Sequence, residues 1–500
     1  MATALGGRDR AVIGPSAAFL AGTIHTRAGT KRADRANGMK AGTLVSTVAP
    51  ASRNTPAGLD RFLRFFADVR AGEGATALLL GLNVFLILMA YYVLKPVREA
   101  LILGEGTAAG KTYLSVVEVF LLALAVPLYG RLVRRLDRRL LINSVTGFFV
   151  VCLLTFYGLG HAGARLGIAF FLWISIFNMM IVAQFWSFAN DVYTKDEGER
   201  LFPIVGFGAS LGAVVGSGLA GGFIERIGVL ELMLVGAGLL VVEVLVTNYV
   251  DARERRRGRR APTRTEMSAA PPARGGAFGL VFKTRYLLLI AFMLMLHNTV
   301  KTTGEYILGD TVRHDAIERL PPGDEPGVKR TIGAFYSSFY TWVNVVGLVL
   351  QLFVVSRIVR YLGVPGAILV LPLVSLGAYG IIAVAPLLGA VFPAKVAENS
   401  TDYSLNNTVR NMLFLPCTPE QKYSAKQAID SFFVRLGDVG AAGVVFVGLT
   451  FLRLGPGGFA VANALLVFLW LVLAWRIGRA YRDLSASGRP PVTSASESGH

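Results

Sequence analysis

Long apolar runs, each ended by a short charged or glycine-containing stretch, dominate the pattern of hydrophobic and polar positions along the chain. Apolar runs of about 18 residues or more are typical of helices that cross a membrane. The pattern therefore predicts an all-α membrane protein with twelve transmembrane helices. Their expected positions are 75–103, 112–133, 139–160, 166–190, 201–224, 228–250, 285–309, 331–356, 362–384, 386–411, 424–452 and 457–480.

A charged, proline-containing stretch separates the sixth span from the seventh. It reads DARERRRGRRAPTRTEMSAAPPARGGA at 251–277, and such a composition is typical of a flexible linker. We therefore expect one six-helix bundle on either side of it. The predicted segments are a basic, mostly disordered N-terminal segment with a short amphipathic helix at 1–73, bundles at 74–250 and 285–482, a basic cytoplasmic linker at 251–284, and a disordered tail at 483–500.

The N-terminal segment allows two interpretations. Residues 1–58 hold eight Lys or Arg and two Asp but no Glu, a basic and acid-poor composition that organelle transit peptides share. A basic tail of a bacterial protein, or a start assigned too early, explains the same composition. We expect a bacterial inner (plasma) membrane protein, with the plastid envelope as the alternative.

The composition agrees with the membrane class. The chain is 53% hydrophobic and 16% charged, with a mean hydropathy of +0.55. Its net charge of +18 comes largely from arginines between the spans, so the lipid bilayer rather than nucleic acid is the expected partner. Basic connections follow spans 2, 6, 8 and 12, which by the positive-inside rule places both termini in the cytoplasm. The candidate gating or structural residues of these loops are Arg131, Arg134, Asp137, Arg357 and Arg360.

Two stretches of the first half recur in the second half. GRLVRRLD at 130–137 matches SRIVRYLG at 356–363, and VLKPVREALIL at 93–103 matches TVKTTGEYILG at 299–309. The offsets of 226 and 206 residues differ by 20, which predicts a longer loop around 313–330. Parallel repeats of this kind are the architecture of major-facilitator transporters.

Charges interrupt the first span of each half. Lys95 and Glu99 lie four residues apart on one helical face, beside Arg98, and Lys301 and Glu305 repeat that pair. A charge at bilayer depth costs about 2.5–3.5 kcal/mol, so such residues face a water-filled cavity or a partner. These residues therefore line a substrate cavity between the halves, or they form a solvated cap where the apolar run ends.

The tenth and eleventh spans are also polar. Lys395, Asn399, Asp402 and Asn406 share one helical face, which a lipid-facing helix could not carry. This stripe is a binding surface or a salt-bridge seam between helices. In the eleventh span the spacing pairs Lys426 with Asp430 and Arg435 with Asp438, either in the cavity or at a loop end. The candidate substrate-binding residues are Lys95, Arg98, Glu99, Lys301, Glu305, Lys395, Asp402, Lys426 and Asp430.

The remaining signals are structural or ambiguous. Gly208, Gly212 and Gly216 recur every four residues, which predicts a seam of close helix packing. Glu118, Asn143 and Glu243 are isolated polar residues that bond neighbouring helices or carry coupling protons. No nucleophile, base and orienting group stand together, and two cysteines form no metal-ligand pattern, so we expect no enzyme, no metal and no cofactor.

Three motifs resemble one family, the nucleotide exchange translocases of obligate intracellular bacteria and plastids, which swap ATP for ADP. LKPVRE at 94–99 is similar to the family's basic-then-acidic cluster at the end of its first span. FWSFAN at 185–190, followed by RLFPIVGFGA at 200–209, is similar to its most specific block. KQAID at 426–430, followed by RLG at 435–437, resembles a third motif.

The resemblance implies a major-facilitator-like fold and exchange of nucleotides, or of a related phosphorylated metabolite, by alternating access. It also implies that Arg98 and Lys426 contact phosphate, so the expected partner is a small anionic substrate. The chain departs from the family pattern at Ile174, where the family has an acidic residue. Two alternatives remain: a proton-coupled major-facilitator carrier of another solute, in which Glu99, Glu305 or Asp402 titrates, and a membrane sensor or scaffold that does not transport.

Overall fold

The computed structural model describes residues 68–257, 277–418 and 421–487, except residue 71, together with Pro491. The expectations for residues 1–67 and for most of the 251–277 linker lie outside the described residues. The first half contains six long helices joined by short connections. They are α1 Gly74–Glu105, α2 Ala108–Arg135, α3 Arg138–His161, α4 Gly167–Val192, α5 Lys195–Ile227 and α6 Leu232–Arg256.

The second half begins with the short helix α7 and contains several helices with π-helical turns. The helices are α7 Ala277–Lys283, α8 Arg285–Arg319, α9 Glu325–Val349, α10 Val355–Val384, α11 Leu388–Thr401, α12 Asn407–Met412, α13 Lys426–Ala428, α14 Val434–Thr450 and α15 Pro456–Ser487. The π-helical turns are Leu350–Val354, Asp402–Asn406, Gln421–Ala425 and Ile429–Phe433. Such turns often mark functional sites in helices.

Ten helices in the described residues are long and apolar enough to cross a membrane. One of these, Glu325–Val384, has 60 residues, or about 90 Å at 1.5 Å per residue, which is far longer than one bilayer. Its helical geometry breaks at Gly363, where φ is 64° and ψ is 177°. The polar segment from Leu388 to Met412 does not meet the apolar criterion, and the count of twelve transmembrane helices stays a prediction.

The predicted loop around 313–330 is wrong. Arg313 lies inside α8, which continues to Arg319, and α9 begins at Glu325, so only residues 320–324 connect the two helices. Capping explains the early start of α9, because the Asp324 carboxylate accepts the backbone N–H of Gly327 and Pro326 follows at the favoured first-turn position. The extra residues of the second half therefore extend helices.

Two hydrophobic cores divide the described residues. One core is built from α1 and α3 to α6, and the other from α8 to α15 with residues from the end of α1, such as Leu103. The halves touch where α9 packs on α1 and α5, where α14 packs on α2, and where α2 packs on α8. The first helix of the chain is therefore central, because it packs on its own bundle and on the other half.

The predicted glycine seam is confirmed. Gly208, Gly212 and Gly216 of α5 face the backbone of α1 so closely that a Cβ atom at any of them would collide with a main-chain carbonyl. The close approach explains why α1 and α5 share the most extensive contact of the first half, without large side chains between them.

Candidate substrate site

The charged cluster of α1 is completed by the next helix. Glu99 is fully buried and accepts from Arg98 of its own helix, with its Oε1 atom 3.0 Å from the Arg98 Nε. Its Oε2 atom lies 2.6 Å from the Nζ of Lys111 on α2. Tyr340 of α9 donates its hydroxyl to Glu99 at 3.2 Å. One carboxylate therefore balances two cations and reaches across to the second half.

Lys95 is surrounded by aromatic rings instead. Its ammonium lies 3.8 Å from the ring centre of Tyr340 and 5.2 Å from that of Tyr92, with Tyr91 at 5.9 Å and Tyr403 at 6.0 Å. The residue is only 7% exposed. Among the described residues, no carboxylate lies within ion-pair distance of Lys95, and its closest attractive contacts are the cation–π contacts with these rings.

In the second half, Lys301 and Glu305 contact residues outside their own helix. Lys301 of α8 lies 2.7 Å from Asp402, which His297 contacts at 3.2 Å and the side-chain amide of Asn406 at 2.8 Å. Neither Lys95–Glu99 nor Lys301–Glu305 forms an ion pair within its own helix. Glu99 pairs instead with Arg98 of its own helix and Lys111 of α2, and Lys301 pairs with Asp402 in the segment that follows α11.

The polar stripe of the tenth span forms a second buried cluster. Lys395 has no exposed surface, and its Nζ lies 2.5 Å from Glu398 and 3.7 Å from Glu305 of α8. Tyr379 donates its hydroxyl to Glu398 at 2.8 Å, and Asn399 donates to Glu305 at 3.1 Å. The predicted stripe thus forms a satisfied network between α8, α10 and α11, as the salt-bridge interpretation required.

The predicted pairing of Lys426 with Asp430 is wrong. Asp430 binds Arg410 of α12 instead, and the Nζ of Lys426 lies 2.7 Å from the amide oxygen of Asn411. Lys426 lies between two π-helical turns and Asp430 lies inside the second, so the regular i,i+4 spacing of an α-helix does not hold there. Lys426 is half-buried, and like Lys95 it has no carboxylate within ion-pair distance in the described part of the chain.

A further ion pair joins the two halves at mid-depth. Arg435 of α14 lies 3.4 Å from Asp438, the predicted i,i+3 pair, and 3.5 Å from Glu118 of α2. The sequence suggested that Glu118 is isolated, but in the structure it pairs with Arg435. His297, also single in the sequence, packs its ring 4.8 Å from that of Trp470 while contacting Asp402.

The halves are tied together at the end where α1 meets α2. Lys329 of α9 lies 2.9 Å from Glu105, the last residue of α1. Arg313 of α8 donates to the main-chain carbonyl of Leu103 at 3.1 Å. The other oxygen of Glu105 accepts the backbone N–H of Gly167 at 2.7 Å. The contacts of Lys329 and Arg313 join the two halves at this end.

The candidate loop residues whose side chains are described are exposed, unlike the buried charges of the site. Arg131, Asp137, Arg357 and Arg360 are exposed, and Arg357 donates only to the carbonyl of Phe353 on its own helix. In the described residues none of these four forms an ion pair, and the side chain of Arg134 is not described. The expectation of a gating role for them stays a prediction.

Sequence reasoning missed several residues of the site. Lys111 shares Glu99 with Arg98, and Tyr340 and Tyr92 face Lys95. Lys111 lies just after a glycine-rich stretch that reads as a loop, and nothing in its spacing points to Glu99, twelve residues earlier. Tyr340 stands on the apolar face of α9, where an aromatic residue is ordinarily part of a core.

The arrangement of helices is that of known membrane transporters. The structure matches the nucleoside transporter NupG with a TM-score of 0.54 at 12% identity, over 82% of this chain and 98% of that one. It matches a POT family transporter in complex with 5-aminolevulinic acid with a TM-score of 0.54 at 12% identity, over 81% and 96% of the two chains. At such identities the likeness establishes the fold, and the protein has the major-facilitator fold of membrane transporters.

The sequence comparisons define the family more closely. The sequence profile of the TLC ATP/ADP transporter family matches residues 168–482, more than half of the chain. ADP,ATP carrier protein 1 of Chlamydia muridarum is 22% identical over 363 residues, which are 65% of this chain and 66% of that protein. ADP,ATP carrier protein 2 of Chlamydia trachomatis is 22% identical over 510 residues, 84% and 91% of the two chains. The chain belongs to the TLC ATP/ADP transporter family, and it spans just under two thirds of the first of these relatives.

Proposed function

We propose that this protein exchanges nucleotides of the ATP/ADP type, or a related phosphorylated metabolite, across a membrane by alternating access. The bacterial relatives named ADP,ATP carrier proteins support the substrate class. The basic connections after spans 2, 6, 8 and 12 support a bacterial inner membrane location with both termini in the cytoplasm.

The observation that carries the proposal is the pair of cations without a counter-ion. The other cations of the site are Arg98, Lys111, Lys301, Lys395, Arg410 and Arg435, and each lies beside a carboxylate. Lys95 and Lys426 lack one among the described residues. A desolvated ammonium without a counter-ion is unfavourable, and an anionic ligand would relieve it. These two lysines are therefore the proposed first contacts for phosphate oxygens.

The surroundings of Lys95 suit a nucleotide. Tyr91 and Tyr92 come from the first half, and Tyr340 and Tyr403 come from the second half, so a ligand at Lys95 touches both halves. Their rings offer π faces on which a base can stack, a contact worth about 1–3 kcal/mol. Charge-assisted hydrogen bonds from lysine and arginine would hold the phosphate chain.

The paired cations provide a second set of contacts. Arg98 can exchange its bond with Glu99 for one with a phosphate oxygen, while Lys111 keeps Glu99 partnered. Because Tyr340 donates to the same carboxylate from the second half, loading of substrate changes a contact between the halves. A ligand that binds one arrangement better shifts the population toward it, which links occupancy to alternating access.

Uptake by reconstituted protein tests the proposal. The full-length chain in proteoliposomes filled with ADP should accumulate labelled external ATP faster than in empty vesicles, without any pH gradient. Arg319→Gln is a matched control, because this arginine is 69% exposed and, within the described residues, pairs only with Asp315 on its own helix. Absence of uptake for every nucleotide, with or without internal ADP, would refute the nucleotide assignment.

A further inference from the structure

Glu243 is a buried carboxyl group with no positive charge beside it. It lies on α6 inside the first bundle and is 3% exposed. Among the described residues it forms no ion pair, in contrast to Glu99, Glu398 and Asp402. An ionised carboxylate in such a place is strongly unfavourable, because no counter-charge offsets its loss of hydration.

Only one oxygen of Glu243 is satisfied. Its Oε1 atom accepts the hydroxyl of Thr247 at 2.7 Å and the side-chain amide of Asn83 at 3.0 Å. The same amide of Asn83 also donates to Thr247 at 2.5 Å, so both donors are held in place. Its Oε2 atom is buried, and among the described residues it has no hydrogen-bond partner.

Gln184 of α4 also has a buried acceptor without a hydrogen-bond partner among the described residues. It is 5% exposed, its amide donates to Thr146 at 3.4 Å, and its Oε1 atom has no partner. Gln184 and Glu243 line the same small cavity, between α1, α3, α4 and α6. Two buried acceptors without a donor therefore belong to residues that line one cavity. Unsatisfied buried acceptors are rare in native proteins and call for a missing proton, water or ion.

We propose that Glu243 binds a proton and is a neutral carboxylic acid in this conformation. A proton on Oε2 turns that oxygen into a donor, which satisfies Gln184 Oε1 directly or through one water in the cavity. The Oε1 atom remains an acceptor and keeps its bonds with Asn83 and Thr247. One proton thus removes the buried charge and satisfies both orphaned oxygens.

Among the described residues that line this cavity, no group other than Glu243 is charged or titratable. The other lining residues are Asn83, Thr247 and the apolar Ile87, Ile142, Ile181, Phe185 and Phe188. The closest charged group along α6 is Asp251, which binds Arg138 of α3. It lies eight residues further on, or about 12 Å at 1.5 Å per residue. Arg138 also contacts Asp191 of α4 at 3.4 Å, so that cluster is self-contained.

Infrared spectroscopy of the full-length protein tests for the proton directly. The carbonyl stretch of a protonated carboxyl group should be present at pH 8 (about 3.7 above the ordinary glutamate pKa of about 4.3) and should disappear in Glu243→Gln. Glu225→Gln removes an exposed carboxylate of α5 and should leave that band unchanged. An unchanged band in Glu243→Gln would overturn the proposal.

Thermal unfolding supplies a second readout that needs no transport assay. Glutamine mimics the neutral acid, because its carbonyl accepts from Asn83 and Thr247 while its amide donates to Gln184. Glu243→Gln should therefore unfold near the wild-type temperature, whereas Glu243→Ala should unfold several degrees lower. Equal losses in both variants would contradict a protonated acid. A sodium-dependent rise of the unfolding temperature that Glu243→Gln abolishes would show a metal cation there instead.

Discussion

At the scale of single residues, Lys95 differs from its charged neighbours. Its removal should lower transport activity without lowering stability. Lys95→Met keeps a long apolar stem against the tyrosines and eliminates a buried ammonium that has no carboxylate partner in the described part of the chain. We expect the unfolding temperature in detergent to stay the same or rise, since the desolvation penalty disappears. Nucleotide uptake should fall at least about tenfold, the effect of roughly 1.4 kcal/mol of lost binding.

Glu99 supplies the contrasting case. Glu99→Gln leaves Arg98 and Lys111 buried without their shared carboxylate. Breaking a buried pair in this way destabilises by about 3–5 kcal/mol, so the unfolding temperature should drop clearly. If instead Lys95→Met unfolded as early as Glu99→Gln, Lys95 would be a structural cation and its proposed contact with phosphate would be refuted.

At the scale of helices, the seam between α1 and α5 sets how closely they approach. Gly212→Val would place a branched side chain against the carbonyl of Phe85. We expect a loss of about 1–3 kcal/mol from overpacking, measured as a lower unfolding temperature. Gly222→Ala on the same helix is the control, because nothing lies within 4 Å of a Cβ atom there. If Gly212→Val unfolded at the wild-type temperature, the two helices could move apart without a loss of stability.

The helices also show what the sequence could and could not predict. The apolar runs predicted a helical membrane protein, and the glycine spacing predicted the close packing of α5. Both features depend on local spacing along one helix. Partners of the charges could not be predicted in this way. Lys111 reaches Glu99 from α2, and Lys301 reaches Asp402 from 101 residues away. Within a bundle the nearest counter-charge belongs to a neighbouring helix, and its position depends on packing that spacing does not contain.

At the scale of the whole molecule, the two halves are held at one end by Glu105 and at mid-depth by Glu118. Lys329 binds Glu105, and Arg435 binds Glu118, each across the boundary between halves. The first contact lies at the α1–α2 connection, which faces away from the cytoplasm if both termini are cytoplasmic. We therefore predict that this structure is closed on the outside and that the Lys329–Glu105 pair stabilises the closure.

A thiol reporter can measure that closure. Ser337 of α9 is 2% exposed and donates to the carbonyl of Ser217 on α5, about 12 Å below Lys329 at 1.5 Å per residue. In a chain with Cys152 and Cys417 replaced, Ser337→Cys should react slowly with an impermeant thiol reagent added outside intact cells. Adding Lys329→Gln breaks a largely buried pair, with side chains 24% and 8% exposed, so the loss should exceed the roughly 1 kcal/mol of an exposed pair. That loss corresponds to at least about a fivefold rise in the open fraction and in labelling rate. Lys329→Arg keeps the charge and should label as slowly as the parent, whereas equal labelling of all three would mean that the Glu105 contact does not hold the halves together.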